Sequence, residues 1–330
     1  MYHPRIRGTY HEMGRKYGTA LAKHGFKLPQ SEPQTTLGLQ CEEEVKRVFP
    51  EILEEIHGLA EGVREPYEKV AAFILTVGYG KPVGCSTFAS VNDSSVIFGR
   101  NYDFFTRFEK YCESYLTRPK GAYASLGSTD IFVGREDGVN EKGLAVSMHF
   151  VAAQLGTPGV NFPIAVRFIL DKCANSAEAV NFLTNTRFLT ANNYLISDRG
   201  GDLAVVEAAP QGVRIRRPEG GESFIVATNH FVHPEMKPFE DTSKRDPDSE
   251  MRYGAILRSL REVHGHVTEG IAKRILSNHD GRVCSHLDYI KLGTLWSEII
   301  DLRKPTVLRA EGQPCKAKYR PDKRLQATSN

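Results

Sequence analysis

The chain has 330 residues, with 43 basic and 40 acidic side chains and an ordinary apolar content. This length allows one large domain or two smaller ones. The near balance of charge argues against a dedicated nucleic-acid surface, which needs a basic excess on one face. No apolar run is long enough to span a bilayer, and residues 1–5 lack the apolar character of a signal peptide.

The first quarter of the chain has the apolar spacing of helices. Apolar side chains recur every three or four positions over residues 42–62 and predict a helix, which Pro50 bends or divides. A second helix is predicted over residues 66–77, because Pro66 suits a helix start. Glycine and proline in residues 79–84 end helical order.

Strands dominate after residue 84. Residues 85–91 and 96–101 flank a polar turn and predict a hairpin. Further strands are predicted at residues 144–150, 194–197, 203–208, 213–216, 224–228, 292–301 and 307–310. Helices are predicted at residues 163–174, 176–183, 249–263 and 268–276, and an exposed loop at residues 237–248. Antiparallel hairpins without regular βαβ alternation predict an α+β layered domain.

The six cysteines indicate a reducing environment. They stand at positions 41, 85, 112, 173, 284 and 315. They form no C-x-x-C pair and are too sparse for a disulfide scaffold. We therefore predict a cytoplasmic protein, in which every cysteine except Cys85 is a buried small hydrophobic residue.

Gly84-Cys85 lies where the helical part meets the strand-rich part. A free cysteine is only slightly ionised at neutral pH, so a nucleophilic thiol needs a base or a positive field. A cysteine at a chain start has its own base, because an α-amino group with a pKa of about 7.7–8.0 is partly neutral at pH 7. Attack of the sulfur on the preceding carbonyl would create that terminus, and glycine leaves the carbonyl open. We therefore predict autocatalytic cleavage between Gly84 and Cys85.

Six motifs accompany this junction. They occupy residues 8–18, 99–103, 137–144, 227–231, 249–253 and 312–315. Together with Gly84-Cys85 they resemble the N-terminal-nucleophile (Ntn) hydrolases, above all the acyl-coenzyme A:6-aminopenicillanate acyltransferase family and more distantly the choloylglycine hydrolases. The resemblance implies an α+β fold, a four-layer αββα sandwich of two antiparallel sheets. A mostly helical pro-segment, residues 1–84, and a catalytic chain, residues 85–330, would form it together.

The resemblance implies a role for three residues around the thiol. Cys85 would be the nucleophile and, through its freed amine, the base. Asp103 resembles the aspartate that orients this amine, and Arg100 resembles the arginine held close to the sulfur, where its charge favours thiolate. The alternative for Arg100 and Asp103 is an ordinary surface ion pair.

The remaining site residues are implied from more distant motifs. Asn229 resembles the asparagine whose amide donates to the tetrahedral oxyanion, and the backbone N–H of Phe150 is similar to the second donor. Arg252 resembles an arginine that braces the site. The alternatives are a turn residue for Asn229 and a solvated helix face for Arg252, and for Asn140 we prefer the turn interpretation.

Histidines offer two competing interpretations. A papain-like histidine base for Cys85 would need no chain cleavage, and His230 and His233 lie beside Asn229. Other histidines and one cysteine have the local spacing of metal ligands: His264, His266, His279, Cys284 and His286. We expect no metal site from them, because no second cysteine or carboxylate in this pattern completes a tetrahedral set.

The resemblance implies an acyl-enzyme on Cys85 whose acyl group passes to water or to an amine. We predict an amidohydrolase or acyltransferase that acts on a small N-acyl compound, with acyl-coenzyme A as a further candidate substrate. No metal or bound cofactor is implied, and no nucleic-acid or membrane partner is expected. The mature form would be a heterodimer of the two fragments. The alternative is an uncleaved, inactive binding protein.

Overall fold

The structure, a computed structural model, describes residues 1–26, 28, 34–76, 84–153, 157–304 and 306–326. The predicted helix end at Val77 and most of the predicted break over residues 79–84 lie outside the described residues. Within these residues the chain forms eight α-helices and fifteen β-strands.

The helices occur in three groups along the chain. They are α1 (Tyr10–Lys23), α2 (Gln34–Val48), α3 (Pro50–Val63), α4 (Tyr67–Thr76), α5 (Phe162–Lys172), α6 (Ser176–Thr184), α7 (Ser249–Glu262) and α8 (Glu269–Leu276). Side-chain caps begin three of them: Thr9 at α1, Asn175 at α6 and Thr268 at α8 each accept a backbone N–H of the first turn. No described helix combines the length and apolar character needed to cross a bilayer.

The strands are short and occupy mainly the part of the chain after residue 84. They are β1 (Arg5–Gly8), β2 (Gly84–Val91), β3 (Val96–Phe105), β4 (Glu113–Pro119), β5 (Ser125–Thr129), β6 (Asp137–Asn140), β7 (Leu144–Phe150), β8 (Asn192–Asp198), β9 (Leu203–Ala209), β10 (Gly212–Arg216), β11 (Phe224–Ala227), β12 (His286–Leu287), β13 (Leu292–Asp301), β14 (Thr306–Glu311) and β15 (Arg320–Asp322).

The strands form two sheets. The first has the order β1-β4-β5-β6-β7-β8-β9-β10, and the second has the order β11-β2-β3-β13-β14-β15, with β12 beside β13. Neighbouring strands are antiparallel except β1, which runs parallel to β4. The prediction of antiparallel sheets is therefore confirmed, with one parallel edge strand added.

The two sheets stack face to face between helices. β2 lies against β7 and β8 across the interface, α5 and α6 cover the first sheet, and α7 and α8 cover the second. Apolar side chains from both sheets, including Phe98, Leu126, Val205 and Ile225, fill the space between them. The layers thus follow the order helix, sheet, sheet, helix, which confirms the predicted αββα sandwich.

The predicted elements agree with the structure to within a few residues, and several elements were not predicted. Each predicted strand and helix is present in the described residues, and Pro50 begins a new helix. Asn92 closes the predicted hairpin, because its Oδ1 accepts the N–H groups of Ser94 and Ser95. Not predicted were α1, β1, β4, β5, β6, β12 and β15. The predicted loop over residues 237–248 contains two single-turn 3₁₀ helices, and Asp248 at its end is buried.

Two glycines let α1 and α3 approach with their backbones in contact. A Cβ placed on Gly14 would lie 1.9 Å from the carbonyl oxygen of Glu55, and a Cβ on Gly58 would lie 2.0 Å from that of His11. These distances are impossible for any residue with a side chain. The glycine-rich motif at residues 8–18 therefore has a packing role.

Candidate active site

The hairpin of β2 and β3 positions most of the predicted site. In its register Gly84 lies opposite Asp103, and Cys85 lies opposite Tyr102. Successive side chains in a strand point to opposite faces. Cys85 and Arg100 therefore share the face toward the first sheet, whereas Asp103 lies on the face toward α7.

Cys85 is fully buried, and its thiol contacts one cationic group. Arg100 Nη2 donates to Cys85 Sγ over 3.6 Å. Burial raises the pKa of the Cys85 thiol to about 12, and the positive charge of Arg100 opposes the rise. In this uncleaved chain the thiol is almost wholly protonated at neutral pH, so its attack requires a base that takes the proton.

Arg100 is held by the first sheet. Its Nε lies 2.7 Å from Asp137 Oδ2, and its Nη1 donates to the carbonyl of Met148 over 2.8 Å. Arg100 and Asp103 are both buried, and Arg100 pairs with Asp137. The alternative of a surface ion pair between Arg100 and Asp103 is therefore wrong.

Asp103 lies beside the junction that the sequence predicts to be cleaved. A Cβ placed on Gly84 would lie 3.4 Å from Asp103 Oδ2. Thr294 Oγ1 donates to Asp103 Oδ1 over 2.6 Å, and Arg252 Nη1 lies 3.8 Å from Oδ2. Burial raises the pKa of Asp103 to about 6, while Arg252 and Thr294 oppose the rise.

Asn229 joins the backbone of Cys85 to that of Phe150. Its Oδ1 accepts the Cys85 N–H over 2.7 Å, and its Nδ2 donates to the carbonyl of Phe150 over 2.9 Å. An amide nitrogen carries two hydrogens, so one remains for an oxyanion. Asn229 follows β11 and its own N–H is held by Ser249 Oγ at the start of α7. The structure thus brings the predicted oxyanion residues together beside Cys85.

Arg252 reaches from α7 into the same place. Its Nη1 donates to the Cys85 carbonyl over 2.5 Å, and its Nη2 donates to Asn229 Oδ1 over 3.0 Å. Asp246, in the loop before α7, pairs with the same guanidinium. Arg252 is buried, so the alternative of a solvated residue on a helix face is wrong.

Comparison with known proteins places this chain in a family. The family model of acyl-coenzyme A:6-aminopenicillanic acid acyl-transferase matches residues 90–316. The chain belongs to this family. The predicted resemblance to the acyltransferase family is confirmed.

One curated relative of the acyltransferase family is the acyl-coenzyme A:6-aminopenicillanic-acid-acyltransferase 40 kDa form of Emericella nidulans. It is 23% identical over 293 residues, which cover 83% of this chain and 81% of the relative. Penicillin V acylase from Agrobacterium tumefaciens is 18% identical, with a TM-score of 0.47 and coverage of 69% and 83% of the two chains. A mutant conjugated bile acid hydrolase from Clostridium perfringens is 13% identical, with a TM-score of 0.49 and coverage of 72% and 96%.

Three residues that hold the site in this acyltransferase-family chain were not predicted as site residues. Asp137 pairs with Arg100, Thr294 donates to Asp103, and Asp246 pairs with Arg252. Asp137 begins one of the quoted motifs, so a signal for it was present. Thr294 and Asp246 lie in a predicted strand and a predicted loop, where nothing in the sequence distinguishes them from ordinary polar residues.

Two buried polar residues, Glu136 and Tyr194, were also missed. Among the described residues, neither carboxyl oxygen of Glu136 nor the hydroxyl of Tyr194 has a hydrogen-bond partner. Burial raises the pKa of the Glu136 carboxyl well above its ordinary value, and the charge of Arg100 opposes the rise. Glu136 is close enough to Arg100 and Cys85 to affect both electrostatically.

Histidines near the site have other partners. Among the described residues, no histidine hydrogen-bonds to Cys85 Sγ. The Nδ1 of buried His149 lies 3.2 Å from the carbonyl of Asn193, which can only accept, so its Nε2 accepts from Thr87 Oγ1 over 2.8 Å. His230 Nδ1 lies 2.7 Å from Ser249 Oγ, and burial lowers the pKa of His230 to about 4.

The side chains of His233 and Asn140 accept backbone hydrogen bonds within their own loops. His233 Nδ1 accepts the Glu235 N–H at an exposed position, so it is engaged in its own loop. Asn140 Oδ1 accepts the N–H groups of Lys142 and Leu144, which confirms the turn interpretation.

A cleft of about 880 Å³ lies beside β1 and α1, and none of the predicted site residues lines it.

One prediction about the cysteines is wrong, and the structure places a distant cysteine beside three of the residues considered as metal ligands. Cys41, Cys112, Cys173 and Cys284 are buried as predicted, but Cys315 is exposed. Cys315 also completes a four-residue cluster of potential metal-ligating side chains, which the sequence pattern did not reveal because the residues are far apart in the chain: His279, Cys284, His286 and Cys315. His264 and His266 are not members.

Proposed function

We propose that this member of the acyltransferase family is a self-processing cysteine enzyme, in which Cys85 forms an acyl-enzyme with a small N-acyl amide or thioester. One observation carries the proposal: Arg100 contacts the thiol of Cys85, and Asn229 and Arg252 bind its backbone. Asp103 lies directly opposite Gly84. A nucleophile and its supporting charges therefore converge on a single peptide bond.

Processing would begin at the Gly84 carbonyl. Cys85 Sγ attacks this carbon, the Gly84–Cys85 C–N bond breaks, and the released amine takes up the thiol proton. Water then hydrolyses the thioester, leaving a carboxylate on Gly84 and a free thiol and amine on Cys85. Asp103 is on the correct face of β3 to accept a hydrogen bond from the new amine, whereas Arg100 is on the face of the sulfur.

Turnover would use the same atoms. The freed α-amine takes the thiol proton as the thiolate attacks the substrate carbonyl, and Asn229 Nδ2 and the Phe150 N–H would donate to the oxyanion. The amine then returns the proton to the leaving group as the acyl-enzyme forms. Water or an amine attacks the thioester in a second step. We favour hydrolysis of small N-acyl compounds, because water is always available as acceptor.

The experiment measures the mass of the fragment that begins at Cys85. Processed protein is mixed with a panel of N-acyl amines, acyl homoserine lactones, β-alanyl amides and penicillins, quenched in acid and analysed by mass spectrometry. The account predicts that the fragment beginning at Cys85 gains the mass of one acyl group, and that Cys85→Ala neither splits nor acylates. The control is Cys173→Ala, a buried cysteine outside the site. Normal splitting of the Cys85→Ala chain would show that another group performs the cleavage.

A further inference from the structure

Two segments of the chain bring four potential metal ligands together beside β12. His279 and Cys284 lie in the loop after α8, His286 begins β12, and Cys315 lies in the turn after β14. One ligand atom from each of these side chains lies within 4.8 Å of every other. Cys315 lies 29 positions after His286, so the fold itself brings it to the other three residues.

Hydrogen bonding among the side chains accounts for only part of this geometry. His286 Nε2 lies 3.3 Å from Cys284 Sγ and 3.2 Å from Cys315 Sγ. A ring nitrogen either donates one hydrogen or accepts one with its single lone pair. It can therefore satisfy one of the two sulfurs. The Cys284 thiol also hydrogen-bonds to Cys315. The His279 ring, whose centroid lies 4.9 Å from that of His286, takes part in none of these bonds.

A cation between the four atoms satisfies all of them. Two thiolates and two imidazoles are a common ligand set for tetrahedral zinc, with Zn–S near 2.3 Å and Zn–N near 2.0–2.1 Å. In an ideal tetrahedron these bonds place nitrogen about 3.6 Å from sulfur and the two sulfurs about 3.8 Å apart. The two measured nitrogen–sulfur distances are within about 0.4 Å of this value. We propose that His279, Cys284, His286 and Cys315 bind one zinc ion.

The site has a structural character, since all four positions of a tetrahedral ion are filled by protein. Zinc there would fasten the loop after α8 and the turn after β14 to the edge of β13. Ser285, next to a ligand, donates its N–H to Thr294 Oγ1, and Thr294 in turn donates to Asp103. The ion would thus stabilise the strand segment that supports Asp103 without contacting the reacting atoms.

Metal content tests the proposal directly. The full chain is purified in a non-thiol reductant, loaded with Zn²⁺, dialysed and measured by elemental mass spectrometry. His279→Ala and Cys315→Ser are the main variants, because both residues are exposed and their replacement leaves the core intact. The matched controls are His266→Ala, an exposed histidine outside the cluster, and Cys112→Ser, whose thiol already faces the Phe108 carbonyl.

We expect about one zinc per chain in the wild type and both controls, and an affinity lower by at least about 10–100-fold in the two cluster variants, since even second-shell changes cost that much. Co²⁺ loading should give the visible spectrum of tetrahedral cobalt with thiolate ligands in the wild type and lose it in Cys315→Ser. Zinc retention by the wild type no greater than by Cys315→Ser would overturn the proposal. So would a Cys284–Cys315 disulfide whose reduction fails to restore zinc binding.

Discussion

Asp103 occupies a position in which its charge is poorly compensated. It is buried, it receives one short hydrogen bond from Thr294, and the guanidinium of Arg252 remains 3.8 Å away. The pKa of Asp103 is accordingly raised from its ordinary value of 3.8 to about 6 by burial. A carboxyl with this pKa is ionised at pH 7 and can orient an amine, but it destabilises the uncleaved fold when charged.

This predicts a pH-dependent gain from Asp103→Asn in a Cys85→Ala background. Because the pKa of Asp103 is raised in the folded state, protonated Asp103 makes its full contribution to stability below about pH 4. This contribution is lost as the pH rises through 6. The free energy of unfolding of the variant should equal that of its parent at pH 4. Above pH 6 it should be higher by up to about 3 kcal/mol, because the pKa of Asp103 differs by about two units between the folded and unfolded states. Urea unfolding at several pH values measures this. An equal difference at all pH values would show that Asp103 keeps its ordinary pKa in the fold.

Arg100 should lower the pKa of the thiol in the processed enzyme. It contacts Cys85 Sγ while its other nitrogens bind Asp137 and the Met148 carbonyl. A lysine keeps the charge but cannot reach all three groups with one nitrogen. Arg100→Lys should therefore shift the pH midpoint of Cys85 alkylation upward by about one unit.

The control for this shift is Arg258→Lys, at an exposed position on α7. Its alkylation profile should coincide with that of the wild type. If Arg100→Lys also left the midpoint unchanged, Arg100 would have no electrostatic role at the sulfur.

The sequence identified the residues that sit in motifs and missed their distant partners. Cys85, Arg100 and Asp103 lie within 19 positions of each other, so one hairpin register places them together. Thr294 reaches Asp103 only because β13 pairs with β3 and shifts its register between Thr294 and Trp296. No local pattern encodes such a pairing. The same limit explains why the four-residue cluster around Cys315 was not predicted.

At the scale of elements, a buried ion pair joins α3 to α5. Glu55 accepts from two guanidinium nitrogens of Arg167, at 3.2 and 2.9 Å, and Arg167 also pairs with Asp171. Tyr10 from α1 donates to the same Asp171. Under the proposed cleavage, Glu55 and Tyr10 belong to one fragment and Arg167 and Asp171 to the other. The pair would hold the two fragments together.

Glu55→Ala should therefore destabilise the fold by about 3–5 kcal/mol, because it leaves a buried guanidinium short of a partner. Urea unfolding in the Cys85→Ala background measures the cost. Glu269→Ala, which breaks an exposed pair with Lys273 on α8, should cost no more than about 0.5 kcal/mol. Equal effects of the two changes would contradict a specific role for the buried pair.

The contact between α1 and α3 makes a second prediction at this scale. Gly14→Ala forces a methyl group into the Glu55 carbonyl, 1.9 Å away, and so requires the helices to separate. We expect a loss of at least about 1–3 kcal/mol. Gly270→Ala, in an exposed part of α8 with its nearest neighbour at 3.9 Å, should instead stabilise the protein by about 0.5–1 kcal/mol. Thermal unfolding of both variants decides, and a neutral Gly14→Ala would mean that the helices are not packed this closely.

Elements with an uninterrupted apolar period were predicted, and elements whose buried faces contain glycine or small polar residues were missed. In α3 the apolar residues Ile52, Leu53 and Ile56 follow the helical spacing and all are buried. By contrast, the buried face of α1 combines Tyr10, Met13 and Tyr17 with Gly14 and Gly18, which contact the backbone of α3, so glycine interrupts its apolar pattern. The short strands β4, β5 and β6 contain serine, threonine and glycine at buried positions, so their composition resembles that of loops.

At the scale of the whole molecule, the order of elements along the chain predicted an α+β domain, and the family resemblance predicted its four layers. The stacking of β2 on β7 and β8 determines which groups surround the predicted site. It places Cys85 and Arg100 against the first sheet, and it leaves Asp103 and Arg252 on the α7 side. The predicted scissile bond lies where these two sets of groups meet.

The most direct test of the account is the N-terminal sequence of the larger fragment in freshly purified protein. The account predicts two fragments that match residues 1–84 and 85–330, the second beginning Cys-Ser-Thr-Phe, and a single intact chain for Cys85→Ala. An active enzyme whose wild-type chain remains whole, with Cys85 still joined to Gly84, would contradict it.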